Sequence, residues 1–203
     1  MKTSAFIAIS LISISAYAVA PKIESGKYSI DSAHTKVGFE ISHLVISTVE
    51  GRFNTYTGSV EMGKKIEESK INASIEIASV DTGNADRDKH LKSPDFFDAQ
   101  KFPKMTFVSK SVSGTEDNLT VKGDLTLHGV TKPITLTGKY LGVVNDPFGN
   151  TRVAFAAKGK LSRKEYGLTW SKMVEAGPVV GDEVSLDIRI EAMKPSVASG
   201  TKK

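Results

Sequence analysis

The stretch NLTVKGDLTLHGVTKPITLTGKYLGV, Asn118 to Val143, carries the pattern that decides the fold. Leu119, Val121, Leu125 and Leu127 fall on one face, with polar residues between them. After His128-Gly129-Val130-Thr131-Lys132-Pro133 the alternation resumes through Ile134, Leu136 and Tyr140, then slips in register near Leu141. Successive side chains of a pleated strand point to opposite sides, so a period of two marks a strand with one buried face. Two such runs joined by a short turn are antiparallel neighbours.

The same alternation recurs on both sides of this hairpin. TKVGFEIS groups Val37, Phe39 and Ile41, and KINASIEIASV groups Ile71, Ala73, Ile75 and Ile77. TRVAFAAKGKLS groups Val153, Phe155, Ala157 and Leu161; DEVSLDIRIEA groups Val184, Leu186, Ile188 and Ile190. Turn residues cluster at Glu116-Asp117-Asn118 and from Asn145 to Asn150, where Pro147 and Gly149 suit a tight hairpin. The pattern predicts an all-β chain of roughly eight to ten strands. A sandwich and a closed barrel both satisfy one apolar and one polar face per strand. Gly38, Gly51, Gly58, Gly123, Gly138 and Gly159 sit inside strand patterns, where glycine permits the sharp bend of a small barrel. A barrel of about eight strands has room for one small ligand.

A chain of 203 residues suits one domain. Its start, Met1-Lys2-Thr3 followed by an apolar run from Ala5 to Ile14 and by Ser15-Ala16-Tyr17-Ala18, reads as a secretory signal peptide over 1–18. The run is too short to span a bilayer. The expected organisation is a cleaved leader, one exported domain over 19–194, and a small polar tail, PSVASGTKK, disordered over 195–203. With no Cys, thiol catalysis, cysteine-held metals and iron–sulfur chemistry are excluded. The formal charge of +4 comes from lysines spread through the strands rather than a block, which argues against a nucleic-acid partner.

One segment departs from the alternation: NADRDKHLKSPDFFDAQKFP, Asn84 to Pro103. Asn84 is placed to cap a short helix over Ala85 to Leu91, with Asp86 and Asp88 in its first turn, where the helix dipole favours carboxylates. Ser93-Pro94 can open a second helical turn. Asp86, Asp88 and His90 are metal ligands by type, but only two of them share a face and a metal site needs three or four. Asp31, Ser32 and His34 do not form a hydrolase triad by proximity alone, and no nucleophile elbow is present. Phe96, Phe97 and Phe102 make the segment a plug or lid for one end of a barrel.

These pieces, in their order, resemble the YceI family of exported, lipocalin-like, polyisoprenoid-binding barrels. The likeness rests on YSIDSAHTKVGFEISHL and GRF, on SVDTGNADRDKHLKSPDFFDAQKFPKMTF, on LTLHGVTKPITLT, DPFGNTRVAF and LSRKEYGLTW, and on VGDEVSLDIRIEA. It covers roughly Lys27 to Met193. It departs in one visible place, Phe148, where family members often carry Trp. The resemblance implies an extended antiparallel lipocalin-like barrel, with a short helical insert around 84–103, holding a long isoprenoid or fatty chain. It also implies a periplasmic location, often a homodimer, and no catalytic centre to carry over.

The reading is therefore a lipid-binding protein rather than an enzyme, with no cofactor and no metal. Phe39, Ile41, Phe53, Phe155, Leu161 and Trp170 are the candidate lumen residues. Arg87, His90 and Arg163 are the candidates for a polar head group or phosphate. Two alternatives stay open: an enzyme acting on an isoprenoid or lipid, and a stress-related structural protein that binds a partner.

Overall fold

The computed structural model describes residues 23–175 and 177–195. The expected signal peptide and, Pro195 apart, the expected tail lie outside the described residues. In chain order the strands are β1 (Gly26–Ile30), β2 (Lys36–His43), β3 (Ser47–Phe53), β4 (Tyr56–Met62), β5 (Lys70–Glu76) and β6 (Val80–Asp81). After the helix α1 (Ala85–Leu91) come β7 (Lys104–Thr115), β8 (Asn118–Leu127), β9 (Val130–Asn145) and β10 (Thr151–Ser162). The short β11 (Met173–Val174) and β12 (Gly177–Pro178) form a separate hairpin before the long β13 (Val180–Lys194).

The strands close in the order β1, β4, β5, β7, β8, β9, β10, β13 and back to β1, an eight-stranded antiparallel barrel. Closure passes through β13. Its far end pairs with β1, Ser29 opposite Met193, and its near end pairs with β2, from Arg189 opposite Lys36 to Val180 opposite His43. Thus β1 and β2 are one stave interrupted at residues 31–35. Likewise β3 runs into β4, and β5 into β6 through the turn Ile77–Ser79. One end of the barrel carries the β2–β3 turn, α1 and the β11–β12 hairpin, and is called the insert end below. The opposite end carries the start of β1 and the end of β13.

The turn between β8 and β9 is tighter than the sequence suggested. Leu127 pairs with Val130, so Val130 to Pro133 already belong to β9 and only His128 and Gly129 remain in the turn. Their φ angles, 52° and 75°, give the left-handed geometry whose twist matches flanking strands. Past Gly138 a bulge between Ala154 and Phe155 shifts the β9–β10 register. Leu141, next to the inward Tyr140, faces outward, and beyond the bulge Val143 rather than Gly142 returns to the inner face, which explains the slip seen in the alternation.

The mid-strand glycines do more than permit bending. A Cβ on Gly51 would lie 2.3 Å from Cζ of Phe39, because that ring lies across the glycine on the paired strand. At Gly138 the obstacle is backbone: a Cβ would meet the Ala156 carbonyl oxygen at 2.0 Å.

The insert follows the sequence closely at its start. Asn84 Oδ1 accepts from the Arg87 amide at 3.0 Å, closing the α1 cap. Asp88 Oδ1 accepts from the amide and the hydroxyl of Thr82, which fixes the entry to the helix. The second helical turn expected at Ser93-Pro94 is instead a run of turns, with the Phe96 amide bonded to the Ser93 carbonyl.

The break in the first stave is fastened by charge. The Arg152 guanidinium donates to Asp31 at 2.7 Å, to Glu191 at 2.5 Å and to Asp146 at 2.8 Å. Arg152 and His34 hold the Asp31 carboxyl down at about 2. Asn150 and Arg152 lower Asp146 as well. Both acids are harder to protonate in the folded chain than in the unfolded one, where an Asp titrates near ~3.9. Their stabilisation is therefore complete above pH ~4 and is lost as pH falls toward 2.

Arg152→Met should lower the melting temperature at pH 7 by on the order of 5 °C. It should also flatten the loss of stability between pH 4 and pH 2, as read by circular-dichroism melts across that range. Gly138→Ala should cost roughly 1–3 kcal/mol in denaturant unfolding, since the crowding atom is a backbone carbonyl that cannot step aside.

Candidate functional site

The inward faces of the barrel strands meet in a cavity of about 230 Å³ with an apolar lining. The wall built by β7, β8 and β9 is closely packed: Phe107, Val121, Leu125, Ile134 and Leu136 are all buried. The wall built by β2, β10 and β13 is different. Phe39, Phe155, Leu186, Ile188 and Ile190 point to the same interior yet remain only partly buried. Both walls line the cavity, and that of β2, β10 and β13 is the more open of the two. The insert supplies the cover at its end of the lumen through Leu91, Phe96 and Phe97.

Five of the six lumen candidates line this cavity. Phe39 and Phe53 stack with centroids 5.7 Å apart, and Phe53 meets Phe97 of the insert at 5.9 Å. Ile41 and Leu161 line it toward the insert end, and Phe155 lies against Tyr140 at 5.2 Å. Trp170 is not among the lining side chains. Its ring packs edge-on against His90 and tilted against Phe96, both at 5.0 Å, so it pins the insert to the segment following β10. Leu186, Ile188 and Ile190 line the cavity but were not named from the sequence as lumen residues. Their alternation was visible, but nothing in it separates a side chain facing space from one facing a neighbour.

The three head-group candidates do not converge. Arg87 is exposed and donates from Nε to the Thr82 hydroxyl at 2.8 Å and from Nη2 to the Thr82 carbonyl at 2.9 Å. His90 pairs through Nε2 with Asp95 at 2.9 Å. Arg163 is 3 % exposed and borders the lumen with its stem. Its guanidinium donates to the backbone carbonyls of Gly181 at 2.7 Å, Leu168 and Val180. Burial pushes its pKa down. This arrangement ties the turn after β10 onto the start of β13.

Asp88, weighed as a ligand with Asp86 and His90, is committed to Thr82 and His90 to Asp95. Asp31, His34 and Glu191 do bring their ligand atoms within 4.8 Å of one another. The Arg152 guanidinium already lies between the two carboxylates, so that group reads as an ion-pair network rather than a cation site.

Comparison with known proteins agrees with this architecture. The YceI-like domain model matches residues 28–192. Protein YceI of Salmonella newport is 40% identical over 173 residues, covering 84% of this chain and 88% of its own. The crystal structure of the Campylobacter jejuni YceI protein is 34% identical with a TM-score of 0.64, covering 82% of this chain and 96% of its own. A polyisoprenoid binding domain from Saccharophagus degradans, 19% identical, shares the fold with a TM-score of 0.61 over 83% of this chain and 98% of its own.

Trp170→Ala should release the insert without opening the barrel. Amide exchange should rise across residues 85–97 and stay slow in β7 to β10, and the overall cost should be about 1–3 kcal/mol for a half-buried ring.

Proposed function

Because the chain belongs to the YceI-like family, we propose that it is an exported carrier or store for a long apolar chain of the isoprenoid type, held in the barrel lumen. The observation that carries this reading is the apolar cavity inside the barrel, bordered by the partly buried Phe39, Phe155, Leu186, Ile188 and Ile190. The polyisoprenoid binding domain of Saccharophagus degradans shares this fold and lends support. So does the basic and apolar start of the sequence, which suits export to the periplasm.

The energetics are adequate. Each buried CH₂ contributes ~0.8 kcal/mol, so one five-carbon unit supplies about 4 kcal/mol before ordering costs. Two or three units reach micromolar affinity. The cavity of about 230 Å³ lies below the ~300–1,000 Å³ of most ligand pockets. A long chain enters by displacing side chains that are already only partly packed, Phe39 and Leu186 among them. Selectivity then follows tail length and shape, and the head group stays at the mouth. Arg87 and His90 lie on the outer insert, where they meet a head group only if it emerges there.

Mass spectrometry of an organic extract, from protein purified without detergent, tests the reading. A stoichiometric isoprenoid supports it. A lipid-free protein that also refuses added chain overturns it. Ala157 lines the middle of the open wall, so Ala157→Trp should fill the lumen and weaken uptake of a fluorescent polyprenyl probe by about tenfold or more, with the fold retained. Gly51→Ala should weaken uptake less, by driving the Phe39 ring into the same space.

A further inference from the structure

We propose that the tips of two hairpins at the insert end of the barrel form a surface that docks on a lipid bilayer, where the lumen loads its chain; its role in loading rests on the chain-binding reading above. The first tip is Leu44-Val45-Ile46, between β2 and β3. The second is Met173-Val174, the strand β11 that leads into the β11–β12 turn at Glu175. Ile46 is 86% exposed, Met173 74%, Val45 58% and Val174 43%.

The two tips come from distant parts of the chain and are held side by side. The Leu44 amide donates to the Val179 carbonyl at 2.9 Å. Val45 Cγ2 lies over Gly177, where a Cβ would sit 3.2 Å from it. The turn chemistry of the first tip is unfavourable for a turn that only reverses the chain. Leu44 and Val45 have φ of 52° and 67°, a region that favours Gly or Asn and penalises a β-branched residue. Apolar side chains at this tip therefore cost both conformational and solvation free energy. A rule broken at two levels in one place is the mark of a functional surface.

Position selects the occupant. Ile41 and Val180 line the lumen and stand within a few residues of the first and second tips. A water-insoluble chain has to arrive from a bilayer, and it would be delivered at this end. Protruding tips sink into fluid acyl chains, whereas a protein partner would need a matching hollow. Lys172 precedes Met173 and Glu175 lies in the turn after Val174, so the charges here are opposite and attachment is driven by apolar burial rather than by anionic headgroups.

The test uses protein recovered after secretion, its N-terminus fixed by mass, together with Ile46→Ser/Met173→Ser, which carries the same N-terminus. Both are floated with phosphatidylcholine vesicles at low and high salt. A labelled geranylgeranyl chain is then offered either in ethanol or within the vesicles. The wild type should float at both salt concentrations, and the double variant should lose vesicle binding by about tenfold or more. The variant should accept the chain from ethanol like the wild type, but extract it from vesicles at least about tenfold more slowly. Equal flotation of the two proteins would overturn the proposal. So would a wild type that does not float but self-associates through these tips. A wild type that docks yet takes no chain from either source would retire the lumen reading and leave the docking surface standing.

Discussion

The structure depends on how β13 spends its two edges. Along one edge it pairs with β10 from Thr151 opposite Lys194 to Ser162 opposite Glu183. Along the other it pairs with two strands in succession, β1 and then β2. Without that second edge the sheet would end in unpaired amides and carbonyls, a surface prone to joining other chains. Because the stave opposite β13 is broken, the closure needs a fastener at the break. Arg152 supplies it by bridging Asp31 and Glu191, and the Tyr56 hydroxyl adds hydrogen bonds to the carbonyls of Ser32 and Thr35. The β7–β9 side of the barrel is the more buried and the β2–β13–β10 side the less.

That asymmetry gives the lumen its character. The same residue types line both walls, and those of β2, β10 and β13 are the more accessible. Phe107 is buried over Gly123 and Phe39 only partly so over Gly51, and both border the cavity. Buried polar groups nearby are already engaged, with the Arg163 guanidinium held by three carbonyls. An interior of this kind presents shape and apolar surface rather than free polar contacts.

Much of this was legible in the sequence, and the limits have physical causes. Alternation placed Val37, Phe39 and Ile41, or Val184 to Ile190, on the inner face because the period of a strand is local. The α1 boundaries were legible because Asn84 caps within three residues of itself. Trp170 was not: its partners, His90 and Phe96, lie some eighty residues earlier in the chain, and only the tertiary fold joins them. Arg163 was read as a ligand for phosphate because its type suits that task, but carbonyls from the start of β13 reach it first. The sequence suggests a longer β8–β9 turn because Pro133 suits a turn, yet the strand accommodates it opposite Asp124.

Ser29 opposite Met193 joins the first strand to the last. Contacts so far apart in sequence make folding slow, because the entropy of closing the loop is spent before the pairing returns anything. They also fix an order of events. A chain emerging from a ribosome, N-terminus first, can form the β7–β10 meander early. It cannot seal its barrel until β13 is free, and until then the whole inner face stands open to water. The folding chain thus passes through a stage at which its inner face is its greatest liability for aggregation.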